Sequence, residues 1–402
     1  MSPTPSALGV AVIGAGMAGR AHIAGYRTAT TAFASNLPEV RLVAIGDVNA
    51  EFATAAARRF GYERAETDWK VIADAPDIDV VSVVVANPLH REIVEGLLAG
   101  GKHVLCEKPL APTIEDAEAM VAAARSSGRE TAVGFTFRRS PAIAAVKQQL
   151  DSGSIGRALH FNGHYWCDYG VSPDGPMSWR YKGGPGSGAL ADIGSHLIDL
   201  AEFVCGPITA VRGATLSTFI TERAKPVGAA VGHAAATLSE EREPVENEDL
   251  VTFTATFASG ASATLTASRV SFGLPNSLGF ELFASDGAAT FDLARAGEFG
   301  FIDGKPDHVT QGFRQVLIGP DHPYIAGGLP MDFPSVNYGQ NDLFTFQARA
   351  FLEQVAGIEG LPRTPSFEDG LHNLRLLRAV VESAGAGGRD VTVESTQERT
   401  TR

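Results

Sequence analysis

Gly9-Val10-Ala11-Val12-Ile13-Gly14-Ala15-Gly16-Met17-Ala18-Gly19 is an apolar strand that runs into three spaced glycines, with a helical stretch starting at about Ala18. Each glycine has its own task in a strand–turn–helix setting. Gly14 permits the tight turn, Gly16 lets the backbone approach a pyrophosphate, and Gly19 allows the helix to pack closely on the strand. The helix start, with Met17 and Ala18 in it, turns N–H groups and the positive end of a dipole toward an anion. The stretch reads as a dinucleotide turn, and it sets the fold of the chain on either side of it.

The same alternation continues outward. Val40–Gly46, Val80–Ala86, His103–Glu107 and Thr131–Phe135 read as strands, and Ala50–Phe60, Arg91–Ala99 and Ile114–Ser126 as helices. Strands apolar on both faces, alternating with helices, specify a parallel doubly wound sheet of Rossmann type. Beyond Phe135 the texture changes. A helix is expected at Pro141–Leu150, then a Gly-, Pro- and Ser-rich loop at Asp168–Gly188, then a helix from about Gly188 to Val204. From Ile208 β-branched strands take over, notably Leu250–Phe257, Ser262–Val270, Leu278–Ala284 and Ala288–Asp292, separated by Ser-Gly and Asp-Gly turns. A last helix is expected at about Leu371–Ala384. The reading is an α/β chain: an NAD-binding Rossmann domain at 1–135, an α+β domain with a large, mainly antiparallel sheet at 136–386, and a flexible tail at 387–402.

At 402 residues the chain is long enough for two cores, and 44% hydrophobic with 20% charged residues is globular composition. A net charge of −13 with no block of clustered Lys or Arg argues against nucleic acid as a partner. No apolar run has the length of a membrane span, and Met1-Ser2-Pro3-Thr4-Pro5 leads almost directly into the first strand, so a cytoplasmic protein is expected. Cys106, Cys167 and Cys205 are far apart and lack paired zinc spacing, which implies core thiols.

The candidate chemistry lies where parallel strands end. Asp47 closes the second strand, where a carboxylate accepts both adenosine ribose hydroxyls and repels the 2′-phosphate of NADP; the alternative is a cap for the next helix. Asn87, in Ala86-Asn87-Pro88-Leu89-His90, is placed to touch a cofactor, and His90 reads either as another contact or as a first-turn helix residue. In Glu107-Lys108-Pro109, Lys108 offers an ammonium to the alkoxide that builds up when an alcohol loses hydride. Asp192 and His196 are i and i+4 on an expected helix and share one face. His196 is the candidate general base, and Asp192 is the acceptor for a second substrate hydroxyl or orients Lys108 and His196. His160, His164, Cys167 and Asp168 raise a metal site as an alternative, but on a strand the two histidines face one way and Cys167 the other, so no metal is expected.

The three glycines, Glu107-Lys108-Pro109 and Asp192-Ile193-Gly194-Ser195-His196, in that order, resemble the Gfo/Idh/MocA family, named for glucose–fructose oxidoreductase, inositol dehydrogenase and rhizopine catabolism. The resemblance spans nearly the whole chain. It implies an open-faced second-domain sheet that commonly mediates oligomerisation, here a dimer or tetramer. It also implies catalytic positions at Lys108, Asp192 and His196, Glu107 beside the nicotinamide, and a cofactor-edge segment at Trp179-Arg180. Arg138-Arg139-Ser140-Pro141 and Ser178-Trp179-Arg180 are similar to the branch containing inositol and levoglucosan dehydrogenases.

The expected activity is NAD-dependent oxidation of a secondary hydroxyl of a sugar, anhydrosugar or cyclitol. Substrate contacts are sought in the second domain at Asp168, and at Tyr165, Trp166, Asn341 and Gln347, for which packing roles stay open. Two rivals remain: glycoside hydrolysis with NAD retained through transient oxidation and elimination, and an NAD- or sugar-sensing regulator without turnover. The Lys108, Asp192 and His196 set argues against the sensor.

Overall fold

A computed structural model describes residues 7–33, 36–227, 237–304, 309–328, 331–333 and 336–393. They form two compact units, one made of the chain up to Pro141 together with Ile318–Leu371, the other of Ala142–Leu317 together with the chain from His372 onward.

The first unit holds strands β1 (Ala7–Ile13), β2 (Glu39–Gly46), β3 (Arg64–Glu66), β4 (Val80–Val83), β5 (His103–Cys106) and β6 (Thr131–Val133). They are all parallel and ordered β3-β2-β1-β4-β5-β6, the doubly wound arrangement expected from the alternation. The edge strand β3 was not legible, because Arg-Ala-Glu carries no apolar run. Helices α1 (Met17–Ala32), α2 (Ala50–Phe60), α3 (Trp69–Asp74), α4 (His90–Ala99) and α5 (Ile114–Ser127) connect the strands.

The first boundary between the units, at Pro141, lies close to the expected 135/136, and a late segment, Ile318–Leu371, also returns to this unit. Phe351, Leu352, Ala348 and Ala356 of the helix Gln340–Val355 and its C-cap join Val10, Val12, Ile23 and Tyr26 in one core. Gly25 makes the approach possible: a Cβ there would stand 2.8 Å from the carbonyl oxygen of Phe344. The helix thus fills a core of the first unit rather than one of the second.

Helix α6 (Pro141–Asp151) follows the first crossing of the chain into the second unit. There β7 (Ala158–Trp166), α7 (Ser195–Cys205), β8 (Ile208–Ser217), β9 (Glu222–Pro226), β10 (Leu238–Pro244), β11 (Leu250–Phe257), β12 (Ser262–Ser268), β13 (Ser277–Ala284), β14 (Gly287–Asp292), β15 (Glu298–Asp303), β16 (Arg314–Leu317) and β17 (Val391–Thr392) follow in sequence. Nine of them form a sheet ordered β16-β15-β14-β13-β7-β12-β11-β8-β17, antiparallel except for the β7/β12 pair. One face of β7 packs on α7: a Cβ at Gly163 would lie 3.0 Å from Leu197. Its other face carries His160, Asn162, His164 and Trp166, none of them buried.

The tail expected to fray after Ala386 is instead anchored as far as Val393. Val391 and Thr392 pair with β8, the Val393 N–H donates to the Thr209 carbonyl, and Val393 is buried. Residues 394–402 lie outside the described residues. Among the described residues no helix is long and apolar enough to cross a membrane.

Candidate functional site

In the first unit the glycine turn has the form its sequence dictates. Gly14 takes φ +105°, and a Cβ on it would sit 2.0 Å from the Val84 carbonyl oxygen. A Cβ at Gly19 would sit 1.8 Å from the Gly14 carbonyl oxygen, so helix and strand meet at the distance only glycine allows. Gly16 differs: a Cβ there meets nothing within 4 Å. Gly16 is also the N-cap of α1, where no side chain caps the helix and no acidic residue occupies the first turn. Met17 is exposed beside it and Ala18 half-buried. Open space in front of uncapped N–H groups suits a pyrophosphate.

Asp47 braces this turn. Its Oδ2 accepts from the Ala15 N–H at 2.8 Å and its Oδ1 from the Asn49 N–H at 2.9 Å. The cap of α2 is Asn49, which accepts from Glu51 and Phe52, so the capping alternative for Asp47 does not hold. Asn87 opens a 3₁₀ turn, Asn87–Leu89, after β4 and is half-buried. His90 is a first-turn residue of α4 and fully buried, with Nδ1 3.1 Å from the Leu110 carbonyl oxygen and Nε2 3.2 Å from that of Val85. Neutral imidazole donates to one of these carbonyls, and the buried ring holds the first-turn position that was one of its two readings. Burial holds its imidazole below the ordinary value. Lys108 is half-buried, and the peptide bond to Pro109 is cis. Glu107 is buried, its Oε2 accepts from the Lys108 N–H at 3.1 Å, and its Oε1 lies 2.9 Å from His22 Nε2. Nothing in the spacing of His22 announced that partnership.

Asn341 and Gln347 lie on the helix Gln340–Val355 and so belong to the first unit, not the second as expected. Gln347 is 2% exposed and accepts from the Thr136 hydroxyl at 3.2 Å, a packing role.

In the second unit the expected helix at Gly188–Val204 starts as a π-turn, Leu190–Gly194, and continues as α7. Asp192 and His196 sit astride that junction rather than on one regular helical face. The turn is held from outside. Glu248 accepts from Gly186 N–H at 2.8 Å and from Leu190 N–H at 2.9 Å, and the Glu248 carbonyl takes the Ala189 N–H at 3.0 Å. Burial pushes the Glu248 carboxyl above its ordinary value. A Cβ at Gly188 would reach within 2.2 Å of the same carbonyl oxygen, which is why the loop is glycine-rich there.

The Asp192 carboxylate is fixed by Tyr169, whose hydroxyl donates to Oδ2 at 2.6 Å. Burial and the negative charge of Asp192 push the Tyr169 phenol up, so the hydroxyl remains a donor. Arg180 Nε stands 4.0 Å from the same oxygen, and its guanidinium lies 4.5 Å over the ring of the exposed Trp179. Tyr165 is buried, with its ring 6.4 Å from that of His196 and its hydroxyl donating to Asn276 at 2.9 Å. Asp168 is half-buried just past the end of β7, next to Tyr169.

The loop Asp168–Gly188 is pinned by two buried arginines. The Tyr181 ring lies between the guanidinium of Arg223 at 4.0 Å and that of Arg269 at 4.6 Å. Arg223 donates to the carbonyls of Gly170 and Ser172, while Arg269 pairs with buried Asp249 at 2.9 Å and donates to the Arg180 carbonyl. Tyr169, Arg223 and Arg269 escaped the sequence reading because their partners lie far along the chain.

Of the metal alternative, His160 bonds to Ser262 and His164 stacks on Trp166, while Cys167 is buried. Among the described residues no group of three or more His, Cys, Asp or Glu is placed to hold a metal ion.

Residues 8–135 match the family described as oxidoreductase family, NAD-binding Rossmann fold, and residues 143–290 match the GFO/IDH/MocA C-terminal domain. A levoglucosan dehydrogenase of Pseudarthrobacter phenanthrenivorans is 38% identical over 381 residues, covering 94% of this chain and 96% of that protein. Inositol 2-dehydrogenase 2 of Saccharopolyspora erythraea is 34% identical over 201 residues, 50% of this chain and 54% of that one. A solved structure of levoglucosan dehydrogenase in complex with NADH and levoglucosan superposes with a TM-score of 0.86 at 36% identity, covering 97% of this chain and 100% of that one.

Proposed function

This chain belongs to the Gfo/Idh/MocA family of NAD-dependent oxidoreductases, and from that premise we propose that it oxidises a secondary hydroxyl of a sugar, anhydrosugar or cyclitol to a ketone, or runs the reverse. Levoglucosan is the first compound to try, because the relative that matches along 94% of the chain is named for it. The open helix start behind Gly16 would hold the dinucleotide, whose nicotinamide would supply the hydride acceptor. His196 takes the hydroxyl proton as general base, and the ammonium of Lys108 stabilises the oxygen as it gains alkoxide character. Asp192, with Tyr169 donating to one carboxylate oxygen, accepts from a neighbouring substrate hydroxyl. Asp168 and Tyr165 complete the substrate contacts, and Asn87, Glu107, Trp179 and Arg180 border the cofactor.

The observation that carries this reading is the open, uncapped helix start behind Gly16, in a chain whose Asp192 is locked by a short charge-assisted bond one turn before His196. Asp47, with no arginine following it immediately, supports a preference for NAD over NADP. A cytoplasmic homo-oligomer, dimer or tetramer, completes the proposal.

The test is NADH formation, followed by absorbance, against levoglucosan, cyclitols, pyranoses and glycosides, with NADP run in parallel. Lys108→Ala and His196→Ala are each expected to keep NADH binding while turnover falls about 10²- to 10⁴-fold. Full activity in either variant removes its assigned role.

A further inference from the structure

A line of buried polar side chains runs through the first unit from α1 to the end of β5, and the mechanism above uses only its last member, Glu107, at the edge of the cofactor. The Tyr26 hydroxyl is 2.9 Å from Ser82 Oγ, and Ser82 Oγ is 3.3 Å from Nδ1 of His22. Nε2 of His22 is 2.9 Å from Oε1 of Glu107, whose other oxygen accepts from the Lys108 N–H at 3.1 Å. Exposure along the line is 0% at Tyr26 and Ser82, 3% at His22 and 9% at Glu107. Polar groups so far from water must satisfy one another.

One order of protons satisfies them all. An ionised carboxylate only accepts, so His22 carries its hydrogen on Nε2 and donates to Glu107. Nδ1 then presents a lone pair to the Ser82 hydroxyl, and Ser82 Oγ accepts in turn from Tyr26. Burial pushes the Tyr26 phenol up, which keeps it the donor at the head of the line. Packing fixes the same geometry. The edge of Phe344 meets the His22 ring at 5.3 Å and 64°, and a Cβ at Gly134 would come within 2.4 Å of Glu107 Oε1. The carboxylate is therefore met on one side by backbone and on the other by an imidazole with a partner at each ring nitrogen.

We infer that His22 is a positioning residue for Lys108: acting through Glu107, it fixes the backbone at Lys108 and hence the point at which the ammonium meets the substrate oxygen. The inference rests on the reading of Lys108 given above, but its structural half is testable without turnover. Misplacing a catalytic group by about 1 Å can cost about 10²-fold, so the effect belongs in kcat rather than in cofactor affinity.

His22→Phe keeps the contact with Phe344 and removes both hydrogen bonds; His22→Gln returns an N–H donor toward Glu107. In His22→Phe, kcat is expected to fall about 10- to 100-fold, with KM for the polyol and Kd for NADH within about threefold of wild type. His22→Gln should recover most of that loss. Independently of activity, hydrogen exchange at the Lys108 amide should quicken at least about tenfold in His22→Phe while amides of β1 stay protected. Wild-type kcat in His22→Phe, unchanged Lys108 exchange, or equal losses in the Phe and Gln variants overturns the inference. Should His22→Phe fail to fold, Ser82→Ala decides instead: a several-fold loss of kcat with faster Lys108 exchange supports the line, and wild-type values overturn it. If wild-type protein forms no NADH from any polyol, the dehydrogenase reading fails, and the exchange measurement alone still judges the link from His22 to Lys108.

Discussion

Tyr169 shows how much can hang on one hydroxyl. Its 2.6 Å bond goes to a carboxylate, and a hydrogen bond to a charged group contributes about 1.5–3 kcal/mol. Tyr169→Phe keeps the ring packed in its loop and removes this restraint on Asp192. The variant is expected to lose about ten- to hundredfold in kcat/KM for the polyol while titrating NADH as wild type does; steady-state kinetics with a fluorescence titration separates the two. An unchanged kcat/KM would mean that Asp192 is held by other groups. The sequence displayed Asp192 and His196 because an acid and an imidazole four apart are visible in a line of text. Tyr169 sits 23 residues before Asp192, and His22 and Glu107 are 85 apart, separations that no local periodicity encodes.

Among elements, the two best-read glycines make opposite demands. At Gly14 the φ of +105° and the Val84 carbonyl both oppose a side chain, whereas at Gly16 there is room for one. Gly14→Ala should therefore lower the thermal midpoint by several degrees, and Gly16→Ala should melt near wild type yet bind NADH weakly; equal melting points for the two would refute the contrast. Strands such as β1 and β4 were legible because both faces are buried, leaving continuous apolar runs. The β9/β10 hairpin was not, because it is held by cross-strand ion pairs, Lys225 with Glu243 at 2.9 Å and Arg242 with Glu222 at 2.7 Å, and its sequence looks like loop. The π-turn at Leu190–Gly194 was equally hidden: Glu248 shapes it from outside, and nothing within Leu-Ala-Asp-Ile-Gly calls for it.

For the molecule as a whole, apolar periodicity reports that one face of a helix is covered but not by what. Nothing in the sequence around Asn341 and Gln347 shows which core they join, and the sequence reading sought them in the second domain. Phe351 is 0% exposed in the cluster it shares with Ile23 and Tyr26. Phe351→Ala should cost about 3–5 kcal/mol of unfolding free energy in a denaturant melt and weaken NADH binding with it; a loss under about 1 kcal/mol would show the helix to be dispensable to that core. The same returning segment carries His322, whose pKa burial lowers from 6.5 to about 4 and whose Nδ1 accepts from the Tyr324 N–H. The unfolded chain takes up this proton below about pH 6.5 while the folded one resists until about pH 4, so this contribution to stability is lost as the pH falls through that window. Melting temperatures of His322→Gln should decline less steeply between those pH values than those of wild type, and parallel curves would exclude His322 as the cause.

The return of Ile318–Leu371 to the first unit also has a temporal side. During synthesis the glycine turn emerges about three hundred residues before the helix that completes its hydrophobic cluster. Until then the surface of α1 at Gly25, against which that helix packs, lacks its partner. Nascent chains stalled ahead of residue 340 should therefore be the species most prone to stick, and supplying the missing segment in trans should rescue them.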